Sequence, residues 1–451
     1  MKSLNNISTI YFLGIGGIGM SAIARYFHAN GKQVSGYDKT PTQLTKELET
    51  EGIEISFTEK IPQVLTNLED KDKTLIIYTP AVSRENLLYQ YVVKHQFPIL
   101  KRAEILGLIT KDIPTLAVAG THGKTTTTAI LAHILKQCGV KLTAFLGGIS
   151  ENYQTNFIND GNEAVVVEAD EFDRSFLQLS PNIAAITSMD ADHLDIYGNK
   201  EELENSFRAF IAKVPNQEDF FYAEALPLQG NSLGFAEDSD YQIQNISIDN
   251  GVYIFDFKTP EKTIKGIEFS LPGKHNLMNA AMAFAMAIKF GVDSAKASKT
   301  LSSFKGVRRR FTYHLRNEDR VLIEDYAHHP SEIDAIYQAV REMHPNKKVL
   351  AVFQPHLYSR TQDFADEFAA SLSAFDAVAL LEVYPAREQP IKGVDSKMLL
   401  GKIKNEQKSL ITKDLVLEKI KETSAEVILL LGAGDIGDEA KKIKIALNHE
   451  S

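Results

Sequence analysis

The sequence contains a single cysteine, Cys138, among 451 residues. One thiol cannot build an internal disulfide framework, so stability must come from buried cores and the chain fits a reducing compartment. Cys138 itself reads as a small buried helix residue. A basic excess is missing too: 49 Lys and Arg stand against 59 Asp and Glu, a net charge of -10. Such a surface cannot displace the counterions of a nucleic acid non-specifically, so any polyanion has to be met by local groups. No run of 18 apolar residues occurs, and the opening MKSLNNISTIYFLG lacks the charged, apolar and small-residue regions of a signal peptide. The expectation is a soluble, cytoplasmic protein with no membrane insertion. Repeats, low-complexity tracts and long linkers are absent as well.

What is present is 44% hydrophobic and 24% charged, enough to bury more than one core, and at roughly 150 residues per domain the length suggests about three. Short apolar strands alternate with helical stretches, the pattern of parallel sheets covered by helices. TIYFLGI, KQVSGYD and TLIIYTP form a first block. PTLAVAG, LTAFLGG, EAVVVEAD and IAAITSM form a second, which runs into YQIQNISI, GVYIFDF and KGIEFSL, whose alternation predicts antiparallel strands, and then into the apolar helix NLMNAAMAFAMAIKF. After the basic link GVRRRF a third block holds VLIEDYAH, KKVLAVFQPH, AVALLEVYPA and EVILLLGAGD. The predicted fold class is α/β in three domains over 1–107, 108–307 and 308–451.

Gly14, Gly16 and Gly19 match G-x-G-x-x-G directly after a strand and at the head of a helix, and Asp38 ends the next strand 24 residues after Gly14. Such glycines let backbone N–H groups approach a diphosphate at a helix N-terminus, where the dipole favours negative charge. The spacing alone describes a dinucleotide site, but the chemistry requires only a diphosphate, and UDP carries one as well as NAD. A tight strand-to-helix turn without ligand has the same spacing.

A second loop, GTHGKT, runs from Gly120 to Thr125 between a strand and a helix. Position 118 is valine, so this is a shortened phosphate loop. Its mechanism survives: backbone amides cradle ATP phosphates, Lys124 reaches the β and γ oxygens, and the Thr125 hydroxyl sits on Mg²⁺. The lysine is expected to supply charge to the transferring phosphoryl group rather than to a core, so its removal should leave the fold intact. Two acid clusters follow at strand ends, Glu168, Asp170, Glu171 and Asp173 in EADEFD, then Asp190, Asp192, His193 and Asp195 in MDADHLD. Open α/β sheets bind ligands at such ends, and hard carboxylate oxygens suit Mg²⁺. Glu168 and His193 are the candidate metal ligands; the other acids also fit helix capping or solvation.

GTHGKTTTT, EADEFDRSF, DADHLDIYG, GKHNLMNA, GVRRRF, DYAHHP, FQPHLYSRT and YPAREQPIKGV, in this order over nearly the whole chain, resemble the Mur ligases. The resemblance implies a Rossmann-like N-terminal domain for a UDP-sugar, a central P-loop ATPase-type domain with a mostly parallel sheet, and a Rossmann-like C-terminal domain for an amino acid. It implies an ATP-dependent ligase that activates the lactyl carboxylate of UDP-N-acetylmuramate as an acyl phosphate for attack by L-alanine, within peptidoglycan synthesis. Gly14, Gly16, Gly17, Ile18, Gly19 and Asp38 then belong to the UDP-sugar. Gly120, Thr121, His122, Gly123, Lys124, Thr125 and Thr126 belong to ATP, with Asn276, Asn279 and Asp325 as contacts to its base or ribose. Thr125, Glu168 and His193 would hold Mg²⁺, with two metal sites and Mn²⁺ as a substitute. Arg309 and Arg310 would reach the γ-phosphate on domain closure, or form an exposed basic hinge. Tyr326, His328, His356 and Arg360 would face the alanine and muramate end, and His329 either joins them or packs on Pro330.

Two departures stand out. Many members have arginine after the histidine of FQPH, where this chain has Leu357. Other Mur ligases carry a metal-bridging carbamylated lysine 15 residues after the aspartate of DH; here that count from Asp192 lands on Phe207, as in the alanine-adding branch. A ligase that joins a whole tripeptide to the same sugar nucleotide is the alternative reading. A nicotinamide-dependent dehydrogenase built on Gly14 to Gly19 would leave the second loop and the acids unexplained.

Overall fold

The strand-forming segments assemble into three sheets in the computed structural model, which describes residues 4–190, 197–249, 252–317, 319–386 and 388–448. The first has strands β1 (Thr9–Leu13), β2 (Gln33–Tyr37), β3 (Glu54–Ser56), β4 (Thr74–Tyr78) and β5 (Ile99–Lys101) in the order β3-β2-β1-β4-β5. Every neighbouring pair is parallel. Because side chains alternate along a strand, Ile10 and Phe12 of β1 enter one core, and Tyr11 and Leu13 enter another on the opposite face. Helix Ile18–Ala29 lies on the first face, and its Ile23 and Phe27 share that core with Phe145 and Phe157 of the second sheet. Its Arg25, 7% exposed, is held by Glu51 at 2.6 Å and by Asn156.

The second sheet has strands β6 (Thr115–Ala119), β7 (Leu142–Ser150), β8 (Thr155–Asn159), β9 (Ala164–Glu168), β10 (Ile183–Ile186), β11 (Phe220–Ala223), β12 (Asn231–Gly234), β13 (Tyr241–Asp249), β14 (Val252–Lys258) and β15 (Thr263–Phe269). They run in the order β15-β14-β13-β12-β11-β10-β6-β9-β7-β8. Its central strands are parallel, and β8 pairs antiparallel with β7. The expected antiparallel region is corrected at its start: β12 pairs in parallel with both β11 and β13. The alternation that suggested otherwise is real in β14, which is half-buried, but periodicity reports which face is wet and says nothing of strand direction.

The third sheet has strands β16 (Thr312–Arg316), β17 (Val321–Asp325), β18 (Val349–Phe353), β19 (Ala377–Leu380), β20 (Lys408–Leu410) and β21 (Val427–Leu431), in the order β16-β17-β21-β18-β19-β20. It is parallel apart from the edge strand β16. Continuous apolar runs such as VILLL in β21 are buried along their whole length, as strands covered on both faces require.

By packing, the chain divides into two compact units. One runs through Ile246 and takes in Phe255–Glu268 and Asn279–Phe304; the other takes in Ser247–Ile254, Phe269–Met278 and the chain from Lys305 onward. Cys138, expected to be buried, is half-exposed at the C-cap of helix Lys124–Gln137 and is a free thiol, because a cap residue lies past the last turn that packs. Among the described residues no helix is long and apolar enough to cross a membrane.

Candidate active site

In the first unit, β1 ends in the glycine loop. Gly14 has φ +89°, a left-handed conformation that suits glycine. Gly17 is the N-cap of helix Ile18–Ala29, with no side chain satisfying the helix start. The Asp38 carboxylate accepts the Gly16 N–H at 2.8 Å, so the acid at the end of β2 shapes the loop. A Cβ on Gly16 would lie 2.9 Å from that carboxylate and 2.8 Å from Thr45. At Gly19 a side chain would run into the Arg102 guanidinium.

Arg102 was not a candidate on sequence grounds. It follows β5 and donates to Asp170 at 2.7 Å, while its neighbour Lys101 pairs with Asp173 at 2.8 Å. The pair thus ties the end of the first sheet to the acid loop of the second. The signal was the dipeptide KR in ILKRAEIL, but only the folded chain places it opposite EADEFD. Burial pushes the Asp170 carboxyl upward, and Arg102 and Lys124 outweigh that to hold it below its usual range.

The phosphate loop leaves β6 at Ala119. Gly120 has φ +132°, and a Cβ there would collide with Thr187 and the backbone of Ser188. Gly123 is a left-handed N-cap to helix Lys124–Gln137 and lies against Asn279. The turn is held from outside: Ser188 Oγ accepts the His122 N–H at 2.6 Å, Thr187 Oγ1 donates to the Ala119 carbonyl at 3.1 Å, and Thr121 Oγ1 accepts the Asp190 N–H at 3.0 Å. Thr187 and Ser188, in IAAITSM, went unnoticed in the sequence because Ser and Thr at a strand end carry no signature of their own. Thr125 and Thr126 are buried at the helix start.

Lys124 Nζ donates to Glu171 Oε1 at 2.9 Å and Oε2 at 2.8 Å and to the Gly120 carbonyl at 2.5 Å. Burial acts to lower the ammonium's pKa, but Glu171, Glu168 and Asp170 together raise it above its ordinary value. Glu168, at the end of β9, is arranged differently. Its carboxylate lies against Gly147, and its buried Oε2 has no hydrogen-bond partner. A buried carboxylate oxygen without a donor is costly, and a cation is the natural complement. Among the described residues no three His, Cys, Asp or Glu side chains form a ready metal cage. His193, Asp192 and Asp195 lie outside the described residues. Phe207 is fully buried and packs edge-on against Phe176 at 5.4 Å, so core fills the position of the bridging lysine.

In the second unit, the expected residues converge just past the C-terminal ends of β17 and β18. His328 and His356 rings lie 6.1 Å apart, His356 stacks on Tyr384 at 5.8 Å, and Arg360 approaches His356 Nδ1 at 3.4 Å. Arg360 is 6% exposed. Leu357, at φ +70°, starts the short helix that carries Arg360. Tyr384 and Glu388, whose carboxylate holds Ser359, are additions from the quoted YPAREQP segment. His329 is the N-cap of helix Pro330–Met343 and packs on Phe364 at 4.8 Å.

Arg309 directs its guanidinium to the Gly432 and Gly434 carbonyls, both at 2.8 Å, and to Glu324 at 2.9 Å, and so secures the GAGD loop. Asp325 accepts the Phe311 and Ala327 N–H groups, both at 2.7 Å, and so organises the backbone around it. Burial pushes its carboxyl up to about 6 against the opposing pull of Arg310 and these two bonds. Arg310 lies over the Tyr326 ring at 5.0 Å with Glu332 at 3.8 Å. Asn276 donates to the Pro272 carbonyl at 2.7 Å at its helix start.

Models of three domains match this chain: the Mur ligase family catalytic domain over residues 9–113, the Mur ligase middle domain over 118–287, and the Mur ligase glutamate ligase domain over 309–436. The UDP-N-acetylmuramate–L-alanine ligase of Christiangramia forsetii is 58% identical over the full length of both chains, and that of Flavobacterium psychrophilum 54% identical over 99% of this chain and all of its own. A crystal structure of the UDP-N-acetylmuramate–alanine ligase of Thermotoga maritima matches with a TM-score of 0.82 at 30% identity, covering 98% of this chain and all of that one. A murein peptide ligase from Psychrobacter arcticus, TM-score 0.72 and 22% identical over 98% of each chain, shares the fold. With family models on all three sheets and full-length relatives above half identity, the chain belongs to the Mur ligase family.

Proposed function

We propose that this chain joins L-alanine to the lactyl carboxylate of UDP-N-acetylmuramate, converting ATP to ADP and phosphate, as a cytoplasmic step of peptidoglycan precursor synthesis. The full-length relatives carry that name. Within the site, the supporting observations are a lysine at the head of the glycine-turn helix, held by Glu171 and the Gly120 carbonyl, and a buried Glu168 oxygen without a hydrogen-bond partner. The domain division proposed is 1–107 for the UDP-sugar, 108–307 for ATP and 308–451 for the amino acid.

A carboxylate is a poor acyl donor because oxide is a poor leaving group. In the proposed reaction a lactyl oxygen attacks the γ-phosphorus and ADP departs, giving an acyl phosphate. The alanine amine then adds to the carbonyl, and the tetrahedral intermediate loses phosphate and a proton. The protein's part is chiefly orientation and positive charge. Gly14, Gly16, Gly17, Ile18 and Gly19 hold the diphosphate at a helix start. Gly120 to Thr126 hold the triphosphate, and Lys124 draws charge from the transferring group. Thr125, Glu168 and His193 are the proposed Mg²⁺ ligands; the ion would offset triphosphate charge. Arg360, whose planar fork matches a carboxylate, takes the carboxylate of alanine beside His356 and His328.

The test is ATP-dependent phosphate release from UDP-N-acetylmuramate with L-alanine, glycine, D-glutamate and the tripeptide in parallel. Release with L-alanine well above the others is expected. Release with the tripeptide and none with L-alanine would overturn the reading in favour of the peptide-joining ligase.

A further inference from the structure

Four acids crowd the loop after β9, and the structure gives two of them opposite tasks. Glu168 keeps a buried oxygen without a donor. Glu171, three residues on and 1% exposed, takes two of the three N–H donors of Lys124, and the Gly120 carbonyl takes the third. An ammonium has three donors and no more. An incoming phosphate oxygen therefore finds every donor of the phosphate-loop lysine already engaged.

We propose that Glu171 is a positioning residue that stands in for ATP phosphate: its carboxylate holds Lys124 in place before nucleotide binds and competes with the triphosphate for the ammonium. This rests on the reading of Lys124 as an ATP-binding residue. Glu171 is the fixed partner of the two. Its carbonyl accepts from the Tyr197 hydroxyl at 2.5 Å and from the Arg174 N–H at 2.9 Å. The loop beyond it is locked into left-handed conformations at Asp173 and Arg174, both at φ 53°, and Arg174 lies over the Tyr197 ring at 5.3 Å. Backbone held in such a sparsely populated region persists only where its surroundings over-determine it. The lysine has a flexible four-carbon stem, so the exchange is a swing of Lys124 and not a movement of Glu171.

The test is calorimetric titration of the folded full chain, wild type and Glu171→Gln, with ATP, ADP and AMP in the presence of a chelator. The amide keeps the shape and loses the charge. Competition predicts that Glu171→Gln tightens ATP and ADP binding at least about fivefold and leaves AMP unchanged, whereas a merely structural role would weaken all three or none. Unchanged or weaker ATP binding by a folded Glu171→Gln overturns the proposal. Wild type that binds no ATP overturns the ATP reading itself, a distinguishable result. Should Glu171→Gln fail to fold, lysine-selective ¹⁵N NMR of wild type decides: a protected Lys124 ammonium signal without nucleotide that shifts on adding ATP is expected, and its absence overturns the proposal.

Discussion

Replacing Lys124 by alanine should do more than stop catalysis. The lysine is 12% exposed and its partner Glu171 1%, with contacts of 2.8 and 2.9 Å. Removing the ammonium takes from the buried Glu171 carboxylate the cation that both its oxygens meet, and breaking a buried pair from one side costs about 3–5 kcal/mol. Water entering the space vacated by a slightly exposed lysine favours the lower end, about 3 kcal/mol. At roughly 2–4 °C per kcal/mol for a unit of this size, the first thermal transition should fall by about 6–12 °C. Adding Glu171→Gln to Lys124→Ala removes the buried charge and should restore at least about half of that loss, because an amide is far cheaper to bury than a carboxylate. Differential scanning calorimetry without nucleotide, at neutral pH, measures both. The reasoning is refuted if Lys124→Ala melts within about 2 °C of wild type, or if the second substitution lowers the transition further.

Gly147→Ala would press a methyl into the Glu168 carboxylate, so it should raise the Mg²⁺ concentration needed for half-maximal activity by roughly tenfold, the size of effect seen when a ligand's support is disturbed, while chelator-treated ADP binding stays unchanged. Gly16→Val would clash with Asp38 and Thr45 and should raise KM for the UDP-sugar with ATP binding nearly unaltered; equal effects on both substrates would count against a diphosphate site there. Arg360→Lys keeps the charge and loses the fork, so KM for L-alanine should rise by about 1–3 kcal/mol in equivalent free energy and those for ATP and the UDP-sugar far less. In the second unit, burial raises Asp325 to about 6 and lowers His275 to about 4. The folded Asp325 binds more protons than the unfolded one between about pH 4 and 6, so its contribution to stability falls as pH rises; the folded His275 binds fewer between about pH 4 and 6.5, so its contribution rises. The two oppose each other in wild type. Asp325→Asn should therefore uncover a stability that climbs by up to about 3 kcal/mol from pH 4 to 6.5, read by hydrogen exchange in β17, β18 and β21, and a decline over that range would show the sign to be wrong.

Much of the site was legible because phosphate chemistry is written locally. A glycine turn after a strand, with a lysine and threonine opening the helix, specifies its own geometry over six residues, and Gly120 and Gly123 adopt the conformations that turn requires. The same holds for Gly14 to Gly19 and Asp38, where a loop and the end of the neighbouring strand meet through one hydrogen bond. Alternating strand and helix patterns likewise announced parallel sheets. The direction of β13 was not legible, because its alternation records exposure alone, and pairing with β12 is settled by where the chain returns.

The sequence by itself determined the α/β class and the two glycine turns that open helices after β1 and β6, since each depends on residues close together in the chain. Tertiary structure decided which charge faces which. Arg309 and Arg310 are adjacent in sequence and both lie against the Tyr326 ring, yet one also holds the GAGD carbonyls and Glu324 while the other faces Glu332. Glu168 and Glu171 are both acids of one short loop, yet one keeps an open oxygen and the other holds Lys124. Arg102 meets Asp170 across 68 residues. The physical reason is that a charge is assigned its role by the nearest opposite charge and by how much water it keeps, and both are properties of three-dimensional packing that no local spacing encodes.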